Sequence, residues 1–174
     1  EELEKESRSA YLQSSYIDKW AGFPLYQNTQ TKYYSCGEEM FPDMLEALRG
    51  AKHFIFLEYF IIEEGYMFNT ILDILEEKAK AGVDVRFIYD DVGSINSISF
   101  GYYKKLQERG IPCVTFNPFK PLISVVMNNR DHRKIFVVDG YIGFTGGINL
   151  ADEYINKKER FGHWKDCSVM IRGE

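Results

Sequence analysis

No stretch of this chain is apolar for the ~18 residues that a membrane-spanning helix needs. The longest apolar run, Phe54 to Ile62, is broken by Glu58 and has the length of a strand. No secretory leader is visible. Cysteine is scarce: Cys36, Cys113 and Cys167 are odd in number, widely spaced and never paired as C-x-x-C. That argues against a zinc site or a disulfide framework and for reduced thiols facing a cytosol, so no metal is expected. Positive charge is also short, with 21 Lys and Arg against 26 Asp and Glu, a formal charge of −5. Nucleic-acid binders usually present a basic face, so no nucleic acid is expected as a partner. The same deficit does not favour docking on anionic lipid by charge alone. Repeats and low-complexity segments are missing as well.

What is there suits one globular domain. The 174 residues are 45% apolar and 16% aromatic, enough to bury a real core. The chain starts at Glu1 rather than Met and stops just after its last strand, so it is expected to be a piece of a longer protein. Residues 1–20 begin highly charged and continue through Tyr11, Leu12, Tyr16, Ile17 and Trp20 at helical spacing, a helical lead-in to a single domain over 21–174. Within that domain, strands are expected over Thr31–Ser35, Lys52–Ile62, Val83–Tyr89 and Ile111–Phe116. Helices are expected over Glu38–Arg49, Tyr66–Ala81 and Ser99–Arg109, and Pro42 fits only if it lies in a first turn. Asn117 to Asn129 reads as a loop, Asp152 to Gly162 as a polar connector and Asp166 to Arg172 as a last strand. Alternating strands and helices followed by hairpin strands give an α/β class, a mixed sheet flanked by helices on both faces.

The stretch from Asn128 to Asn149 organises the rest. His132, Lys134 and Asp139 are spaced H-x-K-x4-D, and Gly146, Gly147, Ile148 and Asn149 follow. Lys134 to Val138 is apolar and β-branched, a strand on which His132 and Lys134 share a face, roughly 7 Å apart. Asp139-Gly140 makes a turn, and Tyr141 to Thr145 returns as a second strand. That fold-back carries Asn149 toward the start of the first strand. An imidazole, an ammonium and a carboxamide then meet, which suits a phosphodiester: a nucleophile, a cation and a neutral donor for the non-bridging oxygens.

The full pattern resembles the signature of the phospholipase D superfamily, and HRKIFVVDGYIGFTGGINLADEYI is similar to the first such motif of bacterial cardiolipin synthases. HFIFLEYFII, GVDVRFIYDDVGS and FGHWKDCSVMIRGE extend the resemblance over nearly the whole chain from about residue 20. It implies a phospholipase D-like half-domain in which His132 takes the phosphoryl group as a phosphohistidine while Lys134 and Asn149 hold its oxygens. The reaction implied condenses two phosphatidylglycerols to cardiolipin and glycerol without a cofactor. The alternative is a homodimeric phosphodiesterase or nuclease of the same superfamily.

The nucleophile needs a carboxylate to fix its tautomer. Asp139 belongs to the motif but follows the strand by a turn and suits a local role. Asp166 resembles the position from which superfamily members supply this acid, and is preferred. Glu58 interrupts an apolar strand and is either salt-bridged or turned to the site. Asp90 ends a strand where α/β ligand sites collect. With Glu58, Asp90, Arg130 and Gly147 make up the expected substrate-binding set, and Arg133 joins Arg130 as a possible contact for anionic lipid. The family's active site joins two copies of the motif, and this chain holds one. Its partner is therefore a second phospholipase D-like half downstream or a second identical chain. The full-length protein is expected at the bacterial cell membrane with this domain facing the cytoplasm, the fragment itself being soluble.

Overall fold

The computed structural model describes residues 2–119 and 128–173. It divides into two compact units, Glu1–Thr29 with Gly173–Glu174, and Gln30–Arg172. The first contains α1 (Glu2–Glu6) and α2 (Arg8–Ala21). Ser7 caps α2 by accepting a hydrogen bond from the Ala10 N–H at 3.3 Å, and Gly22, at φ 71°, closes it with a bond to the Asp18 carbonyl. Leu12, Tyr16, Ile17 and Trp20 of α2 are exposed.

The second unit runs β1 (Gln30–Tyr34), α3 (Gly37–Gly50), β2 (Phe54–Tyr59), α4 (Tyr66–Lys80), β3 (Asp84–Asp90), α5 (Tyr102–Glu108) and β4 (Cys113–Phe116). Then come β5 (Ile135–Val138), β6 (Ile142–Gly146), a 3-10 turn at Asp152–Ile155 and β7 (Ser168–Arg172). The seven strands form one sheet in the order β1-β7-β6-β5-β2-β3-β4. β2, β3 and β4 pair in parallel, and every other neighbouring pair is antiparallel.

This is the mixed α/β sheet expected, with one correction. Helices on both faces require the chain to reverse its direction of travel across the sheet. Here β1, β2, β3 and β4 point the same way and succeed one another across it. Three right-handed crossovers in one direction put α3, α4 and α5 on a single face. Accordingly α3 packs on α4, Phe68 of α4 meets Phe87 of β3 at 6.0 Å between ring centroids, and Tyr102 of α5 meets Phe68 at 6.3 Å. Ile55, Leu57, Tyr59, Val85, Phe87, Tyr89, Phe136, Val138 and Phe144 are buried beneath them. On the other face Phe54, Phe56, Ile88, Ile135 and Val137 are only half-buried. No helix of this unit covers them among the described residues, and Phe56, Ile88, Val114 and Ile135 line a groove of about 390 Å³ there.

Three local details also differ from the sequence reading. Pro42 sits in the second turn of α3, since the helix starts at Gly37; the carbonyl that its missing N–H cannot bond belongs to the exposed Glu38. α5 starts at Tyr102 because Gly101 adopts φ 75° just before it. Most of the loop expected over Asn117 to Asn129, with Pro121 and Met127, lies outside the described residues.

Strand direction places the site. The C-terminal ends of β1, β2, β3, β4 and β6 and the N-terminal ends of β5 and β7 share one edge of the sheet. His132, Lys134, Asn149, Asp90 and Asp166 all belong to that edge. Asp139, at the far end of β5, belongs to the other.

Candidate active site

The strand carrying the motif is anchored at both ends. At its far end Asp139 and Gly140 take φ of 54° and 70°, the left-handed pair at the centre of a tight turn that the Tyr141 N–H closes on the Val138 carbonyl at 3.0 Å, within a three-residue loop between the paired Val138 and Ile142. The Asp139 carboxylate accepts the N–H groups of Lys52, His53 and Phe54 at 2.9, 2.8 and 2.8 Å. It thereby ties the hairpin to the start of β2. Burial raises its pKa, but those three N–H groups outweigh burial and hold the carboxyl below the usual range.

At the near end His132 is exposed, and its ring lies 4.7 Å from that of Phe60. Lys134 is buried at 4% exposure. Its Nζ donates to the His132 carbonyl at 2.5 Å and lies 5.2 Å from the Phe60 ring centroid. An ammonium has three N–H groups, so two remain for a ligand. Burial pulls its pKa down, while the charges of Asp166 and then Asp131 oppose that. Asn149, 3% exposed, accepts the Ile61 N–H through Oδ1 at 3.0 Å and donates to the Tyr154 hydroxyl at 2.8 Å. A backbone N–H can face only an acceptor, so the amide orientation is fixed, with one N–H left over.

Gly147 is where the chain cannot carry a side chain. A Cβ there would lie 2.0 Å from Asp166 Oδ1, and its own N–H bonds the Cys167 carbonyl at 3.0 Å. Its absent side chain makes room for the Asp166 carboxylate, which also accepts the Cys167 N–H at 2.8 Å. The charge of Asp166 is felt at Lys134 and at Tyr154. Gly147 thus shapes the site by vacancy rather than by touching a ligand.

One expected substrate contact, Asp90, sits behind the site instead. Asp90 is 0% exposed. Its oxygens accept the Gly93 N–H at 2.8 Å, Arg130 Nη1 at 3.1 Å and the Asp131 N–H at 2.9 Å. A carboxylate so enclosed cannot reach a substrate; it clamps the segment that precedes His132. Arg130 is partly committed, its other nitrogens donating to the Asn129 and Asn117 carbonyls at 2.9 and 3.0 Å, which leaves one N–H on each terminal nitrogen. Gly93, whose Cβ would lie 2.3 Å from the Phe60 carbonyl, lets this turn close against the end of β2.

Glu58 turns to the open face. Arg133 Nη2 lies 2.6 Å from Glu58 Oε1 and 3.4 Å from Asp131 Oδ2, and Arg133 Nε donates to Asp131 Oδ1 at 2.9 Å. The approach to Glu58 is close but misaligned, so its buried Oε1 has no hydrogen bond. Burial, then the contact with Asp131, push the Glu58 carboxyl up to about 7 against the opposing charge of Arg133. Asp131, 6% exposed, is raised by burial yet held below its usual range by Arg133 and Glu58. Sequence alone does not single out Asp131 and Phe60; an acid directly before His132 and an aromatic two residues after Glu58 are the signals it offers. Among the described residues no three His, Cys, Asp or Glu side chains gather into a metal-ligating group.

The fold that carries this site is that of phospholipase D-family structures. The chain superposes on Nuc from Salmonella typhimurium, described as a phospholipase D family member, with TM-score 0.58 and 22% identity over 83% of this chain and 82% of that one. On phosphatidylserine synthase of Haemophilus influenzae the TM-score is 0.62, with 19% identity over 82% of this chain and 33% of that one. Residues 44–160 match the family described as "Cardiolipin synthase, PLD-like domain", and the chain belongs to that family. It is 41% identical over 175 residues to a cardiolipin synthase of Alkalihalophilus pseudofirmus, spanning 35% of that relative's length.

Proposed function

We propose that the chain is the first of two phospholipase D-like catalytic halves of a cardiolipin synthase. A ring nitrogen of His132 attacks the phosphorus of one phosphatidylglycerol, and the P–O bond to its terminal glycerol breaks. A hydroxyl of a second phosphatidylglycerol then attacks the phosphohistidine, loses its proton and frees His132. The products are cardiolipin and glycerol. Lys134 and Asn149, with two N–H groups and one still open, bind the non-bridging oxygens as charge develops on them. Asp166 is the acid that orients and stabilises the imidazolium, and Asp139 holds the scaffold.

One observation carries this reading: an exposed histidine, a buried lysine and an oriented asparagine at one edge of the sheet, in a chain of the cardiolipin synthase family. The leaving glycerol alkoxide needs a proton that this half does not position, so a second half supplies the general acid. The open sheet face supports that pairing, since its half-buried aromatic and aliphatic side chains suit a second layer. So does the greater length of the matched relatives. The reading places the full-length protein at the bacterial cell membrane with this domain on the cytoplasmic side, in keeping with three unpaired cysteines. Among the described residues no helix is long and apolar enough to cross a membrane.

A second reading is a homodimeric phosphodiesterase or nuclease of the phospholipase D superfamily, since the shared fold spans 82% of the Nuc chain and one such unit can therefore make up most of a chain. One experiment separates them. The isolated chain and the full-length protein are assayed on phosphatidylglycerol vesicles and on DNA, with mass measured by light scattering in the same samples. The monomeric chain should make cardiolipin about 10²-fold or more slowly than the full-length protein, for want of the general acid. Full rates from a strict monomer refute the two-half argument. A tight dimer that cleaves DNA and ignores lipid decides for the nuclease.

A further inference from the structure

The cluster that the transfer reaction leaves unexplained is Glu58, Asp131 and Arg133. Two carboxyl groups from different elements share one guanidinium, and one buried carboxyl oxygen has no hydrogen bond. Asp131 precedes His132 directly, its N–H is tied to the buried Asp90, and the next carbonyl along anchors Lys134. We propose that Glu58 is a positioning residue for the catalytic segment, joined as a carboxylic acid to the carboxylate of Asp131. This rests on the reading above only in naming His132 and Lys134 as the groups positioned.

The charge balance makes the case. With a proton on Glu58, the trio of Glu58, Asp131 and Arg133 is neutral, and the acid O–H has a carboxylate to bond. Without it, two negative charges share a single cation that is misaligned for one of them. Among the described residues no other cation is paired with Glu58. The residues paired with Glu58 in the sheet, Ile88 of β3 and Ile135 of β5, are apolar. Arg86 of β3 lines the same groove but is held by Asp84 at 2.8 Å. Lys134 feels Asp131 while its Nζ is tied to the His132 carbonyl. Burial therefore favours the protonated pair near neutral pH, consistent with the upward shift to about 7 at Glu58. Loss of that proton pushes Asp131 away and loosens the peptide that carries the nucleophile.

Glu58→Gln and Glu58→Ala in the full-length protein test this with two readouts. An amide donates to Asp131 much as the acid does, whereas alanine removes the contact. The first readout is thermal unfolding from about pH 5.5 to about pH 8. A carboxyl raised in the folded state stabilises fully below its unfolded value, and that contribution is lost as pH rises through its folded value. The wild type should lose stability across this window, and Glu58→Gln should lose less. The second readout is the pH profile of cardiolipin formation. Glu58→Gln should exceed Glu58→Ala by about tenfold at acid pH and lose the alkaline limb that the wild type shows. Glutamine as damaging as alanine at every pH, or an alkaline limb unchanged by glutamine, overturns the proposal. Should even the wild type make no cardiolipin, the transferase reading fails. The unfolding profiles still decide the acid pair, which is refuted if wild type and Glu58→Gln run parallel.

Discussion

The two ends of strand β5 carry one sequence signature and have different surroundings. At one end, His132 is exposed against Phe60 and Lys134 keeps two of its three N–H groups open. At the other, both Asp139 oxygens accept backbone N–H groups, those of Lys52, His53 and Phe54 where the chain enters β2. One end is unsatisfied and the other engaged. Unused donors at an exposed edge are what a ligand can take up, whereas an engaged carboxylate holds two strands in register. The motif therefore reads as half chemistry and half carpentry, and substitutions should divide along that line.

The largest separation comes from His132→Ala. If the imidazole is the covalent nucleophile, transfer by the full-length protein should fall at least ~10³-fold while thermal unfolding stays within a degree or two of wild type. An exposed ring contacting one aromatic contributes little to the fold. Turnover near normal in this variant would remove the distinction between the ends altogether.

Next in size is the contrast of two aspartates. Asp166→Asn should cost about 10²-fold or more in kcat, because an amide neither stabilises an imidazolium nor dictates its tautomer. Asp139→Asn tolerates the same left-handed backbone but loses acceptor capacity, so it should lower stability by about 1–2 kcal/mol and leave activity per folded molecule within about threefold. Its acid sensitivity should change as well. A carboxyl held below its ordinary pKa stabilises above the unfolded value near ~3.9, and that contribution is lost as pH falls through the folded value. Asp139→Asn should thus flatten the acid limb of the unfolding curve, measured by calorimetry between about pH 2 and pH 6. Equal activities for the two variants, or the reverse order, would sink the assignment of Asp166.

How much of this was legible in the sequence follows the range of the interactions. The motif strand, its Asp139-Gly140 turn and the return strand depend on neighbours in the chain, and they fold within one residue of the reading, as Ile135–Val138 and Ile142–Gly146. The placing of His132, Lys134, Asn149 and Asp166 at one edge of the sheet followed from strand direction. What tied each one down was not legible. Asn149 meets Ile61, and Asp139 meets Lys52 and Phe54, across more than 80 residues of chain. Asp90 looked like a ligand contact because it ends a strand, yet that position does not reveal whether the carboxylate points into solvent or into the backbone. The uncovered sheet face was hidden for a different reason. Alternating strands and helices do not specify the order of strands, and that order alone put all three crossovers on one side.

The smallest expected effect sharpens the comparison most, because it concerns an oriented group that stays in place. Tyr154→Phe removes the hydroxyl that accepts from Asn149 and keeps the ring, which packs on Trp164 at 4.8 Å between centroids. The Ile61 N–H still holds Oδ1, so the amide cannot invert, but its free N–H is no longer aimed by two partners. If that N–H serves the transition state, kcat should fall by about 3- to 10-fold with little change in KM. Asn149→Asp, which keeps the bond to Ile61 but sets a carboxylate against the phosphoryl oxygens, should lose far more. Were Tyr154→Phe to raise KM and spare kcat, the amide would be holding substrate in the ground state. Were both variants to behave as wild type, Asn149 would belong with Asp139 among the groups that only hold the sheet together, and the active end of β5 would shrink to His132 and Lys134.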